Sequence, residues 1–125
     1  MDEIFNINSL AHGNGVISAA LTINADSSIF NGHFPGQPVV PGAYMLDIVR
    51  QVLEKALGRD LRLAKASQLK FVGMINPLET SEVLLEVGYK DLEGNIVVSG
   101  KLMDGDRVCL KFQGIYDGTH AWMAK

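Results

Sequence analysis

Residues 31–42 place a histidine among glycines and prolines, just ahead of a predicted helix, and this stretch is the best suited to chemistry. It reads NGHFPGQPVVPG, so His33 lies in a rigid loop that leads into a helix N-terminus. Histidine is the usual general base near neutral pH. The first N–H groups of a helix have no partner within it and lie at the positive end of its dipole. Because Gly42 has no side chain, its N–H could polarise a carbonyl while His33 removes a neighbouring proton.

Asp47 lies about one and a half turns into the same predicted helix, and its carboxyl group is a candidate acid. Each of these residues also has an ordinary explanation. His33 could be a loop histidine held by backbone groups, and Gly42 could simply allow the turn into the helix. Asp47 could belong to a solvent-exposed polar face that also carries Arg50. From the residues alone, both explanations stay open for each position.

The elements that must position these residues follow from the spacing of apolar side chains. Alternation predicts a strand over Val16–Asn24, and a helix is predicted to begin near Pro41-Gly42 and to end at Gly58. Four more strands are predicted at Leu63–Met74, Glu82–Lys90, Ile96–Met103 and Arg107–Tyr116. The apolar face of the helix consists of Met45, Ile48, Val49, Val52, Leu53 and Ala56. One helix laid on a run of antiparallel strands predicts an α+β fold.

Length and composition limit the possible function. A chain of 125 residues with 47% hydrophobic residues predicts one globular domain over residues 1–125. With 11 basic and 14 acidic residues, a net charge of −3 gives no reason to expect nucleic-acid binding. No apolar run is long enough for a membrane span, and the first residues lack the basic and apolar parts of a secretion signal. A single cysteine, Cys109, suits the core of a cytoplasmic protein. We therefore expect a cytoplasmic location, with neither membrane nor nucleic acid as a partner.

The segment HFPGQPVVPGAYMLDIVRQ resembles the signature of the β-hydroxyacyl-acyl-carrier-protein dehydratases, small proteins of the hot-dog fold. That signature has a catalytic histidine, a glycine nine positions later and a catalytic acid fourteen positions later. His33, Gly42 and Asp47 match all three positions. The resemblance implies a hot-dog fold, with one long central helix against a curved antiparallel sheet.

The resemblance also implies an activity. A 3-hydroxyacyl thioester held on acyl carrier protein would lose water to give a trans-2-enoyl product, in fatty-acid or related lipid or pigment biosynthesis. His33 would take the proton, the Gly42 N–H would stabilise the enolate oxygen, and Asp47 would protonate the departing hydroxyl. We predict that Phe34, Phe71 and Ile75 contact the substrate. No metal or soluble cofactor is expected, and the resemblance implies a homodimer or a higher oligomer of dimers.

Three departures from the family pattern point to a specialised relative. The usual N-terminal lead is absent, Val72 and Gly73 replace a basic pair, and Arg50 stands where the family has a neutral residue. Because an adjacent cation favours the carboxylate form of an acid, we expect the side chains of Asp47 and Arg50 to diverge without a close ion pair. The alternatives are a hot-dog thioesterase and a non-catalytic acyl-binding accessory subunit.

Overall fold

The computed structural model describes residues 4–31 and 38–118, in which one long helix accompanies one antiparallel sheet. The strands are β1 (Phe5–Gly13), β2 (Val16–Ile23), β3 (Arg62–Phe71), β4 (Glu82–Leu92), β5 (Asn95–Asp104) and β6 (Arg107–Asp117). The helix α1 spans Gly42–Leu57, and a short 3₁₀ turn spans Ser28–Asn31. The strand order is β1-β2-β4-β5-β6-β3, with every neighbouring pair antiparallel. The predicted α+β arrangement is confirmed.

Helix α1 forms where the apolar residues recur at helical spacing, and it buries that face in the core. Its fully buried residues are Met45, Ile48, Val49, Val52 and Leu53. Ala56, predicted on the same face, is half-buried against this core. The helix ends where Gly58 adopts a left-handed conformation and its N–H donates to the Glu54 carbonyl. Both predicted ends of the helix are confirmed.

Strand β2 shows how the sheet supplies the other side of the core. Ile17, Ala19, Leu21 and Ile23 are buried, as their alternation predicted, and the residues between them are half-buried. The buried side chains of β4, β5 and β6 join the same cluster as the buried face of α1. The hydrophobic core therefore lies between the helix and one face of the sheet.

Strand β1 is absent from the sequence-based prediction. Its pairing with β2 shifts register between Ile7 and Ser9, which breaks the two-residue alternation by which strands are recognised. The strand is also largely exposed, so its apolar residues are few. A usable signal was present in Asn14-Gly15, which has positive φ at both residues and forms the hairpin turn into β2.

Two details of the later strands also differ from expectation. Strand β3 ends at Phe71 and not at Met74, because the N–H groups of Val72 and Gly73 both turn to the Cys109 carbonyl. Cys109 and Leu110 are both buried although they are consecutive in β6, since a bulge opposite Met103 interrupts the alternation of this strand. Burial, the largest cause, raises the pKa of the Cys109 thiol, so this cysteine is a core residue, as expected.

Candidate active site

Two of the predicted site residues, His33 and Phe34, lie in the segment 32–37, outside the described residues. The described chain reaches this segment from the 3₁₀ turn that ends at Asn31 and leaves it at Pro38. The geometry of the site therefore comes from the other four predicted residues, which are Gly42, Asp47, Phe71 and Ile75.

The start of α1 is fixed by hydrogen bonds to the backbone that precedes and faces it. Val40 N–H donates to the Ile75 carbonyl at 2.9 Å, and Tyr44 N–H donates to the Pro41 carbonyl at 3.0 Å. Pro41 caps the helix with extended backbone and makes no side-chain capping bond. The N–H of Gly42, the first helical residue, therefore has no acceptor within the helix.

The structure brings Gly42 and Phe71 into contact. A Cβ atom added to Gly42 would lie 2.7 Å from both Cε1 and Cζ of the Phe71 ring. The ring covers the start of the helix while 51% of the residue stays exposed. The backbone of Ile75 lies close to the start of the helix, since its carbonyl accepts the Val40 N–H, but its side chain is fully buried in the core. Contact of Phe71 and Ile75 with an acyl chain stays a prediction.

Asp47 is held by two neighbours on the same helix. The guanidinium of Arg50 donates to Asp47 Oδ1 from Nη2 at 2.8 Å and from Nε at 3.2 Å, and Gln51 Nε2 donates to Oδ2 at 2.7 Å. Arg50 Nη1 also donates to Glu54 Oε1 at 2.7 Å. The expectation that Asp47 and Arg50 diverge is wrong. At spacings of three and four residues, Asp47 and Glu54 lie on either side of Arg50 on one helix face, and both attract it.

These contacts set the charge of Asp47. Burial acts to raise the pKa of its carboxyl group, but the hydrogen bonds from Arg50 and Gln51 and the charge of Arg50 outweigh burial. The pKa of Asp47 is therefore below its usual value, and the group is a carboxylate at neutral pH. In this arrangement it can accept a hydrogen bond but has no proton to give.

A cavity of about 250 Å³ opens beside Asp47, and its walls are mostly apolar. The cavity is lined by Ala43, Leu46, Asp47, Arg50, Leu63 and Tyr116. Two larger depressions, of about 400 and 840 Å³, contain none of the predicted site residues. Of these three depressions among the described residues, the small cavity is the one that contains a predicted site residue.

Tyr116 is the cavity residue that sequence reasoning missed as a functional candidate. The sequence analysis includes it only as the last residue of a predicted strand, and in the structure it is 1% exposed. Burial, opposed by the charge of Arg50, raises the pKa of its phenol to about 12. The sequence signal was a tyrosine at a position that the alternation of apolar residues assigns to the core. A tyrosine hydroxyl in a core usually has a hydrogen-bond partner.

Neither a metal site nor a membrane span is found within the described ranges. No group of three or more His, Cys, Asp or Glu side chains there is placed to hold a metal ion. In the same ranges, α1 is too short and too polar to be a bilayer-crossing helix.

Comparisons with known proteins agree on one family and one fold. The sequence profile described as ApeI-like, ApeI dehydratase, matches residues 9–101. The chain is 28% identical over 100 residues to the 3-hydroxyacyl-[acyl-carrier-protein] dehydratase FabZ of Latilactobacillus sakei, covering 73% of this chain and 70% of that protein.

Among solved structures, the fold is similar to the dehydratase heterocomplex ApeI:P from Xenorhabdus doucetiae. The TM-score is 0.72 at 18% identity, over 94% of this chain and 99% of the other. An uncharacterised protein from Erwinia carotovora subsp. atroseptica gives a TM-score of 0.63 at 21% identity, over 94% and 95% of the two chains. These likenesses confirm the predicted hot-dog fold.

Proposed function

The chain belongs to the ApeI-like dehydratase family, and on that premise we propose that it removes water from a 3-hydroxyacyl thioester carried by acyl carrier protein. The product would be a trans-2-enoyl thioester. The observation that carries the proposal is the family match over residues 9–101, which spans His33, Gly42 and Asp47. The curated relative FabZ is named for this substrate, and we extend that substrate to the present chain.

The thioester itself acidifies the carbon next to its carbonyl, so the reaction needs a base and a donor to the carbonyl oxygen. In the proposal, His33 takes the proton from that carbon. The N–H of Gly42, which has no acceptor within the helix, binds the oxygen on which negative charge develops. The Phe71 ring over Gly42 shields this position from water on one side, which strengthens the hydrogen bond to the oxygen.

Asp47 is assigned to the substrate hydroxyl, since it lies farther along the helix and opens on the apolar cavity. As a carboxylate held by Arg50 and Gln51, it can accept the O–H hydrogen bond and so orient the C–O bond that breaks. Protonation of the leaving oxygen by Asp47 itself would require the carboxyl group to gain a proton despite the Arg50 cation.

A second candidate function is a non-catalytic acyl-binding subunit. The closed pair between Asp47 and Arg50 is the observation that favours it, because the pair opposes the acid role that the family pattern gives to this position.

The deciding experiment incubates the purified protein with a 3-hydroxyacyl-acyl-carrier-protein and follows enoyl absorbance and free thiol separately. We expect the enoyl product without thiol release. Thiol release would indicate a thioesterase. Tight binding with neither product would indicate the accessory subunit.

The same assay tests His33. We expect His33→Ala to lower the rate by about 10² to 10⁴, the usual contribution of a general base. His12→Ala is the matched control, because the His12 ring hydrogen-bonds to the Tyr89 hydroxyl and lies outside the proposed site. Turnover of His33→Ala within a few-fold of wild type would rule out His33 as the base.

A further inference from the structure

The cavity beside Asp47 contains a second polar group, the hydroxyl of Tyr116. Each fully enclosed side-chain polar atom of the described residues has a hydrogen-bond partner. The Tyr116 hydroxyl makes no hydrogen bond with those residues, so it is not fully enclosed, and the side chain that carries it lines the cavity. A buried phenol without a hydrogen-bond partner is unfavourable, so its hydroxyl would form a hydrogen bond with a polar group of a ligand that enters the cavity.

The ring that carries this hydroxyl is firmly placed. Tyr116 pairs across the sheet with Leu63 on β3 and with Ile96 on β5, and its ring packs at 6.1 Å from that of Phe112. Asp47 and Arg50 on α1 line the same cavity as Tyr116, and their charges, together with that of Glu54, act on the pKa of the phenol. Leu63 and Ile96, the paired neighbours of Tyr116 in the sheet, are uncharged.

The reaction needs a proton donor for the leaving hydroxyl, and the Arg50 pair keeps Asp47 ionised. We propose that Tyr116 is the catalytic residue that donates this proton, while Asp47 stays a carboxylate and orients the substrate hydroxyl. This inference rests on the proposed dehydratase function.

The step balances without any further reactant. His33 takes a proton from the carbon next to the carbonyl, and that electron pair forms the C=C bond as the C–O bond breaks. The departing oxygen takes the phenol proton and leaves as water. The proton on His33 returns to the phenolate through water, which restores both residues.

The chemistry of the phenol suits this role. With a pKa of about 12, Tyr116 is protonated throughout the neutral range. It is still a stronger acid than water, so transfer of its proton to a departing hydroxide is favourable. The Arg50 cation acts to lower the pKa of Tyr116, whereas the Asp47 and Glu54 carboxylates act to raise it, so Arg50 is the group that would stabilise the transient phenolate.

The first test is Tyr116→Phe, which removes one oxygen and keeps the ring that packs on Phe112. We expect kcat to fall at least about 100-fold, as for loss of a general acid, with KM within a few-fold of wild type and an unchanged unfolding midpoint. Tyr89→Phe is the matched control, because it removes a phenol oxygen that bonds to His12 away from the cavity. Tyr116→Phe turnover within about threefold of wild type would overturn the role of Tyr116 and leave the dehydratase standing.

The second test is the pH profile of wild-type kcat/KM. With Tyr116 as the donor, the rate should be level between pH 7 and pH 9, because histidine bases are already neutral there and the phenol is still protonated. With Asp47 as the donor, its protonated fraction, and so the rate, would fall roughly 100-fold over the same range. Such a fall would overturn the proposal. A wild-type protein that forms no enoyl product would overturn the proposed function and the role of Tyr116 with it.

Discussion

Arg50 binds two carboxylates at once, and this fixes the charge at the centre of the proposed site. Its guanidinium contacts Asp47 at 2.8 Å and Glu54 at 2.7 Å, and Glu54 in turn accepts the Leu61 N–H at 2.9 Å. The network links the first half of α1 to the chain that enters β3. Arg50 thus holds Asp47 in one orientation and keeps it ionised, which are the two properties an orienting carboxylate needs.

Replacing Arg50 separates the two possible roles of Asp47. Arg50→Met keeps the apolar stem and removes the cation, so the pKa of Asp47 should rise. If Asp47 orients the hydroxyl as a carboxylate, activity at pH 7 falls several-fold, which is the result we expect. If Asp47 were the proton donor, a raised pKa would increase activity instead.

Arg59→Met is the matched control for this change, since Arg59 pairs with Asp91 at 2.7 Å outside the cavity. Both variants should lose at most about 1 kcal/mol of stability, because each pair is partly exposed. Activity of the two variants is compared by the enoyl assay, and stability by urea unfolding. A gain of activity in Arg50→Met would contradict the orienting role.

At the scale of elements, two glycines permit close contacts of different kinds. A Cβ on Gly42 meets only the far end of the half-exposed Phe71 ring among its nearest neighbours. A Cβ on Gly114 would lie 2.6 Å from the Lys65 carbonyl oxygen and 2.7 Å from Cζ of buried Phe112. The Phe71 ring can rotate away from a methyl group at Gly42, whereas the Lys65 carbonyl belongs to the backbone of β3 and cannot. The pairing of β3 with β6 therefore depends on Gly114.

We therefore expect opposite behaviour from two glycine-to-alanine changes. Gly114→Ala should destabilise the fold by about 1–3 kcal/mol, the usual cost of overpacking. Gly42→Ala should cost less than about 1 kcal/mol, because alanine favours the helix and the Phe71 ring can move, yet it should lower activity by displacing that ring. Urea unfolding and the enoyl assay measure the two effects. Equal stability losses would contradict this account of the two contacts.

The elements that sequence could predict are those with an unbroken period. Helix α1 was predicted to within a residue at both ends, and β2 and the three strands after β3 were found because their alternation is long and their turns are marked by glycine. Strand β1 was missed because a register shift breaks its alternation. The Asp47 pair with Arg50 was wrongly predicted to be open, because the acid role implied by the resemblance was given more weight than the three-residue spacing that favours the pair. The cavity at Tyr116 was missed because it depends on contacts between residues far apart in the sequence.

At the scale of the whole molecule, β3 ends one side of the sheet with an edge that no described strand pairs. Large apolar side chains are exposed along this edge and in the chain after it, at Leu69, Phe71, Val72, Met74 and Leu78. Unpaired edges and apolar patches are covered in stable proteins. A second copy of the chain, joined edge to edge at β3, would cover both, which agrees with the homodimer that the resemblance implies.

We accordingly expect a dimer in sedimentation at micromolar concentration, and its dissociation by the double change Val72→Glu and Met74→Glu. The fold should survive, because both side chains are more than half exposed and the Met74 carbonyl is fixed by Arg107 Nη1 at 2.9 Å. Leu92→Glu is the matched control, being 57% exposed at the turn between β4 and β5. The resemblance to the dehydratases also implies that His33 of one subunit and Asp47 of the other share a site, so the monomeric double variant should lose activity while Leu92→Glu keeps it. A wild-type monomer, or a double variant that stays dimeric, would contradict the β3 interface. A monomer that is fully active would further show that one chain contains the complete site.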